Sequence, residues 1–147
     1  MGFSALGLAL SLAIFAPSLS LVWFPPRPAV PAGVAPRPVT VLERAGQALC
    51  VTIPAITEGA SVSWWWFPLV AALVLAYWAL WVRFLATGRH LAALFGPVWG
   101  VPVPMALLPV AAFLAGAAWL ENPWVAIAAG VLAAGHIPSS LITARAR

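Results

Sequence analysis

His136 is the residue of this chain best placed to do chemistry. It stands in Gly135-His136-Ile137-Pro138-Ser139-Ser140, inside an uncharged run from Pro123 to Thr143. If that run is a helix crossing a membrane, the seven residues from His136 to Thr143 put the imidazole ~10 Å below the boundary. An ionisable group at that depth is costly to keep and is a functional candidate by default. Ser139 and Ser140 follow at i+3 and i+4 on the same helical face, and Pro138 frees a carbonyl near Ala134. Two chemistries fit: His136 as a general base on a lipid substrate, or His136 as a polar anchor for a bound molecule. A third outcome is inert, a neutral imidazole bonded to a neighbouring helix or a serine.

A second group comprises Arg83, Arg89 and His90, expected on the same side of the membrane as Glu43, Arg44 and His136. Guanidinium groups suit bidentate contacts to phosphate or carboxylate, so an anionic headgroup is conceivable there. Singly placed arginines in an apolar chain also serve simply as topology markers that reach lipid phosphates. Glu43, with Arg44 beside it and Gln47 one turn on, neutralises part of this set.

Other chemistries are excluded. The ten charged residues are seven arginines and three glutamates, so a catalytic lysine or an aspartate pair is ruled out. No HExxH, GxSxG or P-loop occurs, and two histidines with one nearby glutamate do not make a metal site by spacing, so no metal or cofactor is expected. Cys50 is the sole cysteine, which excludes an intrachain disulfide. The arginines form no basic stripe, and nucleic acid is not an expected partner.

The elements that must position these groups are membrane helices. With 64% hydrophobic and 7% charged residues, the chain lies far outside the soluble range. Trp64 to His90 sets the orientation: 18 uncharged residues from Trp65 to Val82, tryptophans at one end and Arg83 and Arg89 at the other, read as a span whose basic end is cytoplasmic. A first span runs from about Phe3 to Phe24 and is expected to be retained, having neither a basic n-region nor a cleavage site. Residues 25–38, with six prolines, form a Pro-rich cytoplasmic connector.

Val39 to Ile56 is ambiguous. Its uncharged stretch from Ala45 to Thr57 covers only ~20 Å as a helix against a ~30 Å core. If it crosses, all seven arginines fall on one side and Glu58 and Glu121 on the other; if not, the arginines split four against three. The positive-inside bias therefore favours five spans over four spans plus one interfacial helix. His90 to Pro104, broken by two glycines and three prolines, should lie at the headgroups or fold back into the bundle. Spans from about Val101 to Leu120 and Pro123 to Thr143 then form a tight hairpin, with Asn122 capping the last helix and Pro123 in its first position. Small residues at Ala112 and Gly116, and at Ala126, Gly130 and Ala134, are expected to pack that hairpin, or else to form a seam with a second copy or a membrane-protein partner.

A Trp-rich chain of this length with five spans is similar in outline to the translocator family of small porphyrin and sterol binders. The similarity is one of composition and span count; that family's Trp, Tyr and Pro motif cannot be placed here, and no site residue follows from it.

The expectation is thus a single all-α domain over residues 1–147, a compact bundle of five transmembrane helices in a bacterial-type inner (plasma) membrane. Its N-terminus is outside and its C-terminus cytoplasmic. Its surroundings are membrane lipids, and its role is to bind a lipid or other hydrophobic ligand, or to serve as a transport or accessory subunit. The runner-up is an enzyme acting on a lipid with His136 as its base. Candidate ligand contacts are Arg83, Arg89, His90, His136, Ser139, Ser140, Glu43 and Arg44.

Overall fold

The computed structural model describes residues 2–30 and 34–146. The elements are helical: α1 (Ala5–Phe15), continued through a 3-10 turn (Ala16–Leu19) into α2 (Ser20–Trp23), then α3 (Arg37–Ile56), α4 (Phe67–Ala86), α5 (Leu91–Phe95), α6 (Pro104–Trp119) and α7 (Pro123–Arg145). Four stretches are long and apolar enough to cross a membrane: Ala5–Trp23, Arg37–Ile56, Trp64–Ala86 and Pro123–Arg145. The fourth expected span is shorter than its hydropathy suggested. α6 has 16 residues, because Val103 takes a left-handed backbone (φ 41°) and the helix starts only at Pro104.

The rods alternate in direction. Ser4 N–H donates to the Ala55 carbonyl and Ser63 N–H to that of Trp119, at 2.9 and 2.7 Å. These bonds gather the start of α1, the end of α3, the approach to α4 and the end of α6 at one pole. At the other pole Arg27 N–H reaches the Arg89 carbonyl at 2.8 Å. Neighbour contacts run α1 to α3, α3 to α7, α7 to α6 and α6 to α4, and a thin seam between α4 and α1 closes the ring. Each described arginine lies toward the second pole, and Glu58 and Glu121 lie at the first.

α3 is one continuous helix that includes Arg37 and Pro38, so the connector is shorter than expected. A proline in the first turn removes an N–H that has no helical partner there. At 20 residues α3 is ~30 Å long. Its closest neighbour is α7, and two glycines explain the approach. A Cβ at Gly46 would collide with the Leu132 backbone, and one at Gly135 with the Glu43 backbone. The small residues expected to pack the α6–α7 hairpin lie elsewhere: Gly116 meets α1, and the α7 set faces outward in part. Ala112 and Gly116 are buried, Gly116 against Leu10, whereas Gly130 and Ala134 are exposed and Gly130 faces open space.

Prolines recur in the helices, and at two of them a neighbouring helix satisfies the carbonyl left without its helical donor. Pro54 cannot donate to Cys50, and the Ser11 hydroxyl donates to that carbonyl instead at 2.8 Å. Pro17 cannot donate to Ala13, and the Trp78 indole N–H does so from α4 at 2.8 Å. This is how an apolar bundle tolerates proline. Asn122 caps α7 as its position suggested, accepting from Trp124 N–H at 3.1 Å, while its amide donates to the Thr57 carbonyl and hydroxyl at 3.0 and 2.8 Å. His90 to Pro104 folds back on the bundle, burying Leu91, Ala93, Leu94 and Val103.

Candidate functional site

A cavity of about 730 Å³ opens within the ring near the arginine-rich pole. Its volume lies within the ~300–1,000 Å³ usual for small-molecule sites. Every long helix contributes to it. Ile14 and Phe15 come from α1, Tyr77 and Trp81 from α4, and Met105 and Pro109 from α6. These walls are apolar or aromatic. Polar groups concentrate on the α3–α7 side, as Glu43, Arg44 and Gln47 face His136, Ser139 and Thr143.

The centre of that polar wall is a bond across the helix pair. His136 Nδ1 lies 2.6 Å from Glu43 Oε1, and both side chains are about four-fifths buried, at 22% and 19% exposure. When the Glu43 carboxylate is ionised it only accepts, so Nδ1 then carries the proton and donates, leaving Nε2 as the ring's other functional nitrogen. Local sequence dictates the geometry. Gly135 and Gly46 bring the α3 and α7 backbones into contact, so side chains on the turns beside them meet without being extended. Ser139 and Arg44 also flank the Glu43 carboxylate. Thr143 Oγ1 donates to the Ser139 carbonyl at 2.9 Å. Pro138 lies within α7 without ending it.

The structure thus brings together five of the eight residues singled out in the sequence: Glu43, Arg44, His136, Ser139 and Ser140 line one cavity. Arg83, Arg89 and His90 share that pole but lie outside the lining. Arg83 and His90 are exposed, and the Arg89 guanidinium stands 6.0 Å over the Phe24 ring. The physical reason lies in α4. Tyr77 and Trp81, one turn apart, form its inward face, so Arg83 is turned outward. Trp81 is buried with its indole N–H unpartnered; the Tyr77 hydroxyl is near enough to interact with it but does not close a hydrogen bond. Gln47 stands out in the sequence only as a polar neighbour of Glu43, and Thr143 only as the end of the last span, yet both line the cavity.

Pro26 and Val30 of the Pro-rich connector complete the rim. Residues 31–33 of that connector lie outside the described residues. Among the described residues, no group of three or more His, Cys, Asp or Glu is assembled to hold a metal ion. No protein family, curated protein or solved structure matches the chain.

Proposed function

We propose that this chain is an integral membrane protein of five crossing helices that holds one lipid-like amphipathic molecule in the cavity of its ring. The arginine-rich pole faces the cytoplasm of a bacterial-type inner membrane, which puts the N-terminus outside and the C-terminus inside. The observation that carries the reading is the Glu43–His136 bond set in the wall of an otherwise apolar cavity. A paired polar group at membrane depth is expensive and is most economically kept as an anchor for a polar head, with the apolar walls receiving the tail.

The arginine asymmetry supports the five-span arrangement, because α3 is wedged between α1 and α7 and runs against both. α6 is short for a span. Trp119 at one end and Leu91, Ala93, Leu94 and Val103 of the folded-back segment at the other are buried in protein, whereas Trp99 to Pro102 are exposed.

The test is native mass spectrometry of the purified chain, compared with Ala106→Phe, which fills the cavity from a position 2% exposed. A lipid adduct retained by the native chain and lost from the variant supports the reading. A native chain that carries no adduct and is not stabilised by added single-chain lipids would sink it.

One observation favours the enzymatic alternative. A carboxylate bound to Nδ1 fixes the imidazole tautomer that lets Nε2 act as a general base. Turnover of a lipid ester by the native chain and its loss in His136→Asn would move the reading there.

A further inference from the structure

We infer that the head subsite takes an uncharged, hydroxyl-bearing head on a single acyl chain, a lipid alcohol of the monoacylglycerol kind, and rejects a phosphate. The inference rests on the lipid-holding reading and narrows it.

The charges around the cavity carry the argument. Among the described residues, Arg44 is the arginine that lines it, and Arg44 already stands beside the Glu43 carboxylate. The other described arginines lie outside the lining: Arg27, Arg37, Arg83 and Arg145 are exposed, and Arg89 lies over Phe24. A phosphate entering this wall would meet Glu43 with its charge answered by one guanidinium and would forfeit its hydration. Like charges brought together in a partly buried site repel strongly.

The remaining polar lining is neutral and two-sided. Gln47 and Ser140 can donate and accept, as does a hydroxyl; Ser139 stands against the Glu43 carboxylate, and Thr143, whose hydroxyl donates to the Ser139 carbonyl, keeps its acceptor capacity. Glu43 supplies an acceptor held in place by His136 at 2.6 Å. The rest of the cavity is apolar, with Phe15, Leu21, Leu94 and Leu132 among its walls, and its volume of about 730 Å³ suits one chain and its head better than two chains. A diol head can exchange hydrogen bonds with acceptors and donors of this wall, so burying it need leave few polar groups unpaired.

The experiment compares two probes that share one oleoyl chain: 1-oleoylglycerol and 1-oleoylglycerol-3-phosphate. Each is titrated into the purified full chain in detergent micelles, with the thermal unfolding shift as readout. 1-Oleoylglycerol should bind about tenfold tighter, the size of one or two well-made hydrogen bonds. In Glu43→Gln, which keeps the shape and removes the charge, the preference should shrink to about threefold or less. Equal or tighter binding of the phosphate by the native chain would overturn the inference while leaving the lipid-holding reading in place. So would an undiminished preference in folded Glu43→Gln. Binding of neither probe would remove both. The native comparison needs no substitution, so it decides the matter even if Glu43→Gln fails to fold.

Discussion

Gly135 lies directly against the Glu43 backbone, so close that a single methyl group there would collide with it. Its neighbour in sequence, His136, makes the 2.6 Å bond to the Glu43 carboxylate. The two facts are one device: the glycine sets the distance between α3 and α7, and that distance makes the pair. Gly135→Val should therefore cost about 2–3 kcal/mol by overpacking and, on the proposed function, abolish lipid retention. Gly130, five residues earlier on the same helix, faces open space. Gly130→Ala should be neutral or stabilising by up to about 1 kcal/mol, since alanine is the better helix former. Thermal unfolding of both variants in the same detergent checks this; equal costs would mean that backbone contact is not what Gly135 provides.

The Ser11 hydroxyl replaces the donor that Pro54 lacks, at 2.8 Å from the Cys50 carbonyl. Ser11→Ala should destabilise by about 1–3 kcal/mol, because it strands a buried carbonyl. In a Pro54→Ala background residue 54 regains its N–H, the Cys50 carbonyl regains its helical partner, and Ser11→Ala should cost markedly less. A double-mutant cycle measures the difference. Additive costs would show that the hydroxyl is not compensating for the proline.

How much of this was legible in the chain depends on distance along it. The Trp64–Ala86 and Pro123–Arg145 rods were readable from uncharged length, and the cap at Asn122 from its place before Pro123. The full length of α3 was obscured, because Pro38, Glu43 and Arg44 dilute the hydropathy of its first two turns. Glu43 and His136 were each singled out, yet their bond joins residues 93 apart, and no periodicity reports a contact of that range. Arg83 and Arg89 misled for the same reason. Their position at one pole follows from charge, whereas facing the cavity depends on the rotation of α4, which Tyr77 and Trp81 decide.

Asn122 holds the opposite pole together. Buried to 2% exposure, it caps α7 and reaches both polar atoms of Thr57 at the end of α3. Asn122→Ala removes the cap and takes the side-chain donor from the Thr57 carbonyl and hydroxyl oxygens, the hydroxyl keeping its bond to the Ile53 carbonyl, which should cost about 2–4 kcal/mol. Asn122→Asp keeps the cap but turns two donors into acceptors facing Thr57. It should recover only the capping part, about 1 kcal/mol. Full recovery by aspartate would show that the bonds to Thr57 add nothing.

The five-span arrangement makes a prediction about sidedness. Ala29, Ala60 and Ala146 are exposed and lie after α2, after α3 and after α7. The native Cys50 is fully buried and should stay unlabelled, so single cysteines at the three positions can be read against a silent background. If α3 crosses, a membrane-impermeant thiol reagent added to sealed spheroplasts should label Ala60→Cys, and leave Ala29→Cys and Ala146→Cys unlabelled until the membrane is opened. If α3 instead lies along the surface, Ala29→Cys and Ala60→Cys must share a side and label together. The second result would also place Glu43 and His136 in the headgroup layer, where a polar pair costs little, and would remove the reason for reading their bond as an anchor.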